Sequence, residues 1–164
     1  YAKSGYFVQG VRVKLNSQKA SEILKNKQYI FKSFESGIKN KRKSLRSSLL
    51  HYLFSGKRFL KPLDMLQTCN MAFFKNDCLN VNGFNEDFIG WGREDSEFAA
   101  KLFHSGINRR DLRFKALAYH IHHKGNSRSM LEINHQIYLN TLNNHLSWSV
   151  NGIDKYLKKL KNKK

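Results

Sequence analysis

The stretch of sequence that decides the fold reads Gly83-Phe84-Asn85-Glu86-Asp87-Phe88-Ile89-Gly90-Trp91-Gly92-Arg93-Glu94-Asp95-Ser96-Glu97-Phe98. Glycines on both sides of Trp91 allow the backbone to bend sharply there and to present the indole ring. Apolar residues at helical spacing follow, and negative charge is favoured in the first turn of a helix. The pattern therefore predicts an ordered loop over 85–93 and a helix that begins at Glu94 and ends at Gly106.

The same stretch combines an aromatic ring with two adjacent carboxylates, which suits sugar chemistry. Trp91 offers a platform for the apolar C–H side of a sugar ring. Glu94 and Asp95 point in different directions on one turn, so one can bind ring hydroxyls while the other takes a proton from an attacking hydroxyl. A general base of this kind contributes about 10²–10⁴ in rate. The alternative is that either carboxylate only caps the helix.

The composition indicates a globular chain with a strongly basic surface. Hydrophobic residues make up 40% of the 164 residues, which is enough for a core. The chain has thirty Lys and Arg residues but only twelve Asp and Glu residues. The resulting net charge of +18 predicts a polyanionic partner. Cys69 and Cys78 match no zinc or redox spacing, so we expect reduced thiols and a cytoplasmic location. No signal peptide or apolar run long enough to span a membrane is visible.

The first part of the chain predicts a strand, a helix and a basic segment. Residues 6–15 alternate, with Phe7, Gln9, Val11, Val13 and Leu15 on one face. Asn16 or Ser17 then caps a short helix, in which Ala20, Ile23 and Leu24 are at helical spacing. Residues 28–61 are basic and amphipathic, and predict one or two helices that break near Gly37 and end near Gly56. This segment either packs with a solvated basic face or binds an anionic membrane or a phosphate-bearing acceptor.

The second part of the chain alternates strands and helices. Residues 70–74 and 114–121 predict strands, and 127–144 and 152–160 predict helices. The second strand is followed at once by three histidines, which are His120, His122 and His123. Side chains alternate along a strand, so His120 and His123 come together only if the strand ends near residue 121. The alternative is that all three are surface histidines.

The motifs described above resemble those of a known enzyme family. Asn82-Gly83-Phe84 resembles an Asn-Gly-Phe turn, and Gly90-Trp91-Gly92-Arg93-Glu94-Asp95 resembles a Trp-Gly-Gly-Glu-Asp signature. Both belong to the galactosyltransferase-type C-terminal module of GT-A glycosyltransferases, which include bacterial family 2 enzymes and animal β-1,4-galactosyltransferases. The resemblance implies an α/β fold, the C-terminal part of a Rossmann-like GT-A domain with a mixed sheet flanked by helices.

The resemblance also implies roles for the residues of the loop and the helix start. Asp95 matches the base that activates the acceptor, and Glu94 matches the adjacent carboxylate that shapes the acceptor site. Trp91, Gly92 and Arg93 match positions that line this site. Arg93 stands where the animal enzymes have glycine, so we expect a different acceptor pocket. Thr68-Cys69-Asn70 lacks the glycine expected before the Cys-Asn pair.

A divalent cation and a nucleotide-sugar donor are implied as well. His123 matches a histidine that coordinates the cation, and His120 stands where the animal enzymes have a methionine ligand. A histidine at 120 is a harder ligand than methionine and workable for Mn²⁺, and Mg²⁺ is the alternative. The family's Asp-x-Asp motif is absent from the chain, and the half that carries it would precede Tyr1. We therefore expect the acceptor and base half of an enzyme, a fragment or one part of a split protein, whose donor site needs the missing N-terminal half.

The function implied is inverting, metal-dependent transfer of a hexose to a glycan or glycolipid. Bacterial surface polysaccharide or lipopolysaccharide synthesis, at the inner face of the membrane, is the setting that the resemblance suggests. Within the chain we expect four parts: 1–27 after the donor half, 28–62 as a basic helical insertion, 63–126 as the acceptor and catalytic module, and 127–164 as C-terminal helices with a basic tail.

Other classes of protein fit part of the pattern. A basic nucleic-acid-binding protein or a histidine-metal nuclease would suit the charge and the histidines. Against nucleic acid, basic residues are rarely interleaved with aromatic residues, and the acidic island at 86–97 would repel phosphate. A non-catalytic module that docks on membranes is a third alternative.

Overall fold

Two small β-sheets and the helices around them make up the part of the chain that the computed structural model describes, residues 3–27, 31–57, 63 and 66–161. The strands are β1 (Tyr6–Gln9), β2 (Val11–Lys14), β3 (Gly56–Lys57), β4 (Met71–Ala72), β5 (Asn108–Asp111) and β6 (Leu117–His120). The α-helices are α1 (Ser17–Asn26), α2 (Ser48–Phe54), α3 (Lys75–Asn80), α4 (Glu94–His104), α5 (Leu131–Asn143) and α6 (Asp154–Lys161). Lys41–Ser44 and Thr68–Asn70 form 3-10 helices. The architecture is mixed α/β, as predicted.

The strand predicted over residues 6–15 is divided at Gly10 between two sheets. β1 lies in a four-stranded sheet of order β3-β5-β1-β4, parallel to β5 and antiparallel to β4, whereas β2 pairs in parallel with β6. The amide of Asn70 fills the break and donates to the carbonyl oxygens of Val11 and Ala116, each at 3.0 Å. A Cβ atom at residue 10 would collide with that amide. Asn70 therefore joins the two sheets.

Each sheet has its own apolar core. The larger core packs α4 on the four-stranded sheet and holds Phe7, Val81, Phe98, Ala99 and Leu102. The smaller core packs α1 on β2 and holds Val13, Leu15, Ile23 and Ile38. Four of the five residues predicted to share one face of 6–15 are buried, namely Phe7, Gln9, Val13 and Leu15, and Val11 is partly buried. Of the three apolar residues at helical spacing in α1, Ala20 and Ile23 are buried and Leu24 is 64% exposed.

The basic segment contains less helix than its pattern predicted. Residues 31–40 form turns, with Gly37 at φ +83°, and Leu15 pairs with Ile38 in an isolated bridge. The predicted end near Gly56 is confirmed, since α2 ends at Phe54. Its Leu49, Tyr52, Leu53 and Phe54 side chains are exposed. Residues 28–30 and 58–61 of the segment lie outside the described residues.

Several other boundaries differ from those predicted. The strand over 70–74 is reduced to β4, and the strand over 114–121 is reduced to β6 because Phe114 has a φ of +65° and forms a turn. Helix α5 begins at Leu131 and not near residue 127. Strand β5 was missed, since its sequence Asn-Arg-Arg-Asp has no apolar alternation. Cys69 and Cys78 are free thiols. No helix among the described residues has the length and apolar character to span a bilayer.

Candidate functional site

The loop before α4 takes the sharp course that its glycines predicted. Gly90, Gly92 and Arg93 have φ angles of +72°, +118° and +73°, and α4 begins at Glu94 as expected. Gly92 is buried, and a Cβ there would lie 2.7 Å from the Leu131 side chain. The Asn134 amide of α5 also donates to the Ile89 carbonyl at 3.1 Å. Helix α5 thus packs against the loop and fixes its course.

The loop and the start of α4 face a cleft of about 460 Å³. The carboxylates of Glu94 and Asp95, the ring of Trp91 and the predicted histidines His120 and His123 all line it. Its remaining walls come from Arg12, Lys14, Leu15, Lys39, Thr68, Cys69, His122, Gly125, Asn126 and Arg128. Five of the seven residues predicted for the site therefore meet in one cleft, although they lie up to 32 positions apart in the sequence. We refer to it as the acidic cleft.

Asp95 is held in this cleft by the 3-10 helix before β4. The backbone N–H of Thr68 donates to Asp95 Oδ2 at 2.9 Å, and the Thr68 hydroxyl donates to Asp95 Oδ1 at 2.5 Å. A carboxylate accepts about four hydrogen bonds, so lone pairs remain for a ligand in the cleft. The arrangement orients the Asp95 carboxylate and leaves it able to accept a proton.

Glu94 and Trp91 are positioned by different contacts. Glu94 Oε2 accepts from the backbone N–H of Gly92 at 2.9 Å, which closes the loop over the first turn of α4. The indole ring of Trp91 is 40% exposed, and the guanidinium of Arg128 lies 5.1 Å from its centroid. This is within the range of a cation–π contact. The two carboxylates therefore point to different partners, as their adjacent positions on one turn predicted.

Gly92 and Arg93 lie on the other side of the same loop. They line a neighbouring cleft of about 390 Å³ that also includes Trp91, Glu94 and Asp95. The guanidinium of Arg93 lies 5.5 Å from the centroid of Tyr138 on α5. Arg93 thus lines the neighbouring cleft and not the acidic cleft, and its role in acceptor binding stays a prediction.

His120 and His123 lie close together, which required the strand to end near residue 121. Strand β6 ends at His120, and the ring centroids of His120 and His123 lie 5.0 Å apart. Burial lowers the pKa of His120, and the positive charges of Arg12 and Lys14 and the His123 ring lower it further. A neutral imidazole is the form that binds metals. Across the described residues, however, no group of three or more His, Cys, Asp or Glu side chains is arranged to hold a metal ion.

Sequence reasoning missed several residues of the acidic cleft. Thr68 was noted only for the missing glycine beside it, Lys39 only as part of the basic segment, and Arg128 not at all. Arg12 and Lys14 alternate with the apolar residues of the first strand and therefore lie on its other face, and both line the cleft. Alternation in residues 6–15 was the only signal for them, because the contacts with 68–70 and 120–128 depend on the tertiary fold.

Comparison with known proteins gives one match. Residues 50–124 match the family model described as the N-terminal domain of galactosyltransferase. The match covers less than half of the chain and includes Thr68, the loop with Trp91, the start of α4 and both predicted metal ligands. No curated protein and no solved structure matches the chain. The match supports a glycosyltransferase-type domain, and so favours glycosyl transfer over nucleic-acid binding.

Proposed function

We propose that this protein transfers a hexose from a nucleotide-sugar to a glycan acceptor, with inversion at the anomeric carbon and with Asp95 as the base. One observation carries the proposal: the oriented carboxylate of Asp95 opens into the same cleft as the exposed ring of Trp91. The galactosyltransferase match over these residues supports it. The fold that we propose for this protein is the GT-A fold of bacterial family 2 glycosyltransferases.

In the proposed reaction, the acceptor sugar packs on Trp91 and donates hydrogen bonds to Glu94. Asp95 accepts the proton of the attacking hydroxyl at a carboxylate oxygen. The hydroxyl oxygen forms a bond to the anomeric carbon as the bond to the nucleoside diphosphate breaks, and the diphosphate leaves with the bonding electron pair. Because a sugar hydroxyl is a poor nucleophile, proton removal during attack is worth about 10²–10⁴ in rate. Cationic Lys14, Lys39 and Arg128 line the acidic cleft with the carboxylates, and would attract the anionic donor to it.

The proposed cofactor is Mn²⁺ or Mg²⁺, held in part by His120 and His123. Two imidazoles that face one cleft, one of them with a lowered pKa, fit a share of a coordination sphere. The remaining ligands would come from the donor diphosphate and from the N-terminal half that we propose supplies the donor site. When bound, the cation would neutralise charge that develops on the leaving diphosphate.

A glycan or glycolipid of a bacterial surface polysaccharide or lipopolysaccharide is the acceptor we propose, and the inner face of the membrane is the proposed location. The exposed apolar side chains of α2 support this location. Helix α2 follows the basic 3-10 helix Lys41–Ser44 in the sequence. A basic segment followed by exposed apolar side chains suits an anionic membrane surface.

The proposed role of Asp95 is tested with Asp95→Asn in the complete gene product. Transfer from a panel of nucleotide-sugars should fall by about 10²-fold or more, while the circular dichroism spectrum stays that of the folded wild type. Glu132→Gln is the matched control, because it removes an exposed carboxylate of α5 outside the cleft. Near-normal turnover in Asp95→Asn would refute the base assignment. Metal-dependent cleavage of nucleic acid without sugar transfer would favour the nuclease alternative.

A further inference from the structure

A second cleft, strongly basic, shares Arg12 with the acidic cleft. It measures about 250 Å³ and has five cationic side chains and one carboxylate in its walls. The residues that line it are Gln9, Gly10, Val11, Arg12, Arg42, Lys43, Gln67, Arg109, Asp111, Arg113 and Phe114. We refer to it as the basic cleft. None of these residues belongs to the base, the sugar platform or the metal site proposed above.

The single carboxylate of the basic cleft is already paired. Asp111 Oδ1 lies 2.7 Å from Arg109 Nε, and Asp111 Oδ2 lies 3.8 Å from an Arg113 guanidinium nitrogen. Arg12, Arg42 and Lys43 have no carboxylate partner among the described residues, and within that part of the chain the buried Nε of Arg12 has no hydrogen-bond partner. A buried donor without a partner is costly. The cleft thus has the positive charge and the vacant donors that an anion would satisfy.

The positions of these cations relative to one another are set by Asn40. Its side-chain amide donates to the carbonyl of Arg12 at 3.0 Å, and its side-chain oxygen accepts from the backbone N–H of Lys14 at 2.7 Å. The 3-10 helix with Arg42 and Lys43 begins at the next residue. Strand β2 and the 3-10 helix are therefore held side by side, so the site does not need to assemble when a ligand arrives.

The size of the basic cleft limits the ligand. Sites for drug-sized molecules measure about 300–1,000 Å³, so 250 Å³ suits one charged group with part of a sugar ring and not a nucleotide-sugar. Guanidinium groups bind phosphate and carboxylate through paired hydrogen bonds. Arg12 also lines the acidic cleft, so it is shared by the two clefts. A group bound at one face of Arg12 is thus adjacent to the space beside Asp95.

We propose that the basic cleft binds the anionic group of the acceptor glycan, either a phosphate or a uronate carboxylate, through Arg12, Arg42 and Lys43. This rests on the proposed transferase function, and it assigns the acceptor to the anionic class. The charged group would hold one end of the acceptor while the hydroxyl to be glycosylated faces Asp95.

The test measures binding by titration calorimetry of the complete gene product with glucose 6-phosphate, glucuronate and glucose. We expect one or both anions to bind, and glucose to bind at least about tenfold more weakly. Whichever anion binds more tightly identifies the charged group. Arg42→Gln with Lys43→Gln should weaken that binding by about tenfold or more. Both side chains lie at the surface, so the double variant should keep the wild-type melting temperature.

The matched control is Lys25→Gln with Lys41→Gln, which removes two positive charges from exposed positions outside the basic cleft. Equal weakening in the control would show a general charge effect and would overturn the proposal, as would glucose binding as tightly as both anions. The assay needs no catalysis. Anion binding without any sugar transfer would leave the site in place and refute the proposed function, whereas transfer to neutral acceptors with no anion binding would refute only the site.

Discussion

Thr68 and Asp95 are joined through both carboxylate oxygens, by a backbone N–H at 2.9 Å and a hydroxyl at 2.5 Å. The contact ties the 3-10 helix that precedes β4 to the first turn of α4. It also explains what the segment 68–70 does without the expected glycine: Thr68 orients the proposed base, and Asn70 joins the two sheets.

Removal of the Thr68 hydroxyl should slow transfer without unfolding the protein. Thr68→Val keeps the backbone N–H and the side-chain volume but loses a hydrogen bond to a charged group, worth about 1.5–3 kcal/mol. We expect kcat to fall by about tenfold or more with KM for the acceptor little changed, measured under steady-state conditions. Thr68→Ser should restore most of the loss. A Thr68→Ser variant as slow as Thr68→Val would show that the hydroxyl does not orient Asp95.

The proposed metal site predicts different effects for neighbouring histidines. His123→Ala should raise the Mn²⁺ concentration that gives half-maximal activity by about tenfold or more, because a ligand is lost. His122→Ala is the control, since this exposed side chain lies outside the facing pair. Equal effects of the two variants would count against His123 as a ligand. Binding of Mn²⁺ in the absence of donor, measured by electron paramagnetic resonance, separates metal affinity from catalysis.

Helix α4 contains a buried ion pair between Glu97 and Lys101, and Lys101 also links the helix to Ser149 near the end of the described chain. Lys101 Nζ lies 3.1 Å from Glu97 Oε2 and donates to the Gly83 carbonyl at 2.8 Å and to the Ser149 hydroxyl. Burial raises the pKa of Glu97 and lowers that of Lys101, so either charge alone is unfavourable there.

Lys101→Met should therefore lower the free energy of unfolding by about 3–5 kcal/mol, because Glu97 is left unpaired. The double variant Glu97→Gln with Lys101→Met should lose less than Lys101→Met alone, since no buried charge remains. Urea unfolding of the wild type, both single variants and the double variant gives the coupling energy. Additive losses in that cycle would contradict the prediction.

The contact between α6 and the loop before α4 should weaken in acid. Hydrogen bonds from Lys155, at 2.6 Å, and from Tyr156, at 2.9 Å, lower the pKa of Glu86. A lowered folded-state pKa contributes stability above the ordinary glutamate pKa of about 4.3, and this stability is lost as the pH falls below that range. Between pH 6 and pH 3, the wild type should lose more stability than Glu86→Gln. Parallel pH profiles in thermal unfolding, with Glu132→Gln as the control, would contradict this.

The exposed side of α2 should mediate binding to anionic vesicles. Leu49 and Leu53 are 67% and 59% exposed, and burial of each in a membrane is worth up to about 1.5–3 kcal/mol. In flotation assays with phosphatidylglycerol vesicles, Leu49→Gln with Leu53→Gln should reduce the bound fraction, and phosphatidylcholine vesicles should bind little of the wild type. Leu24→Gln with Ile133→Gln is the control, because both residues are exposed elsewhere, at 64% and 55%. A control that binds as weakly as the α2 variant would assign the effect to general hydrophobicity.

Local features of the fold follow from the sequence pattern, and long-range features do not. The start of α4 and the bend of the glycine loop depend on neighbouring residues, and the sequence alone predicted them correctly. The approach of His120 to His123 was conditional on the strand end, and the structure meets that condition. Each is set by backbone preferences and by side-chain alternation over a few positions.

Contacts between distant segments were not predicted from the sequence. The break at Gly10 depends on Asn70, the pairing of charged β5 with β1 depends on the core beneath them, and the orientation of Asp95 depends on Thr68, 27 positions away. The shared position of Arg12 between two clefts is of the same kind. Periodicity and propensity carry no information about which remote side chain fills a gap or satisfies a polar group. Only packing in three dimensions, where most buried polar groups find partners, settles those choices.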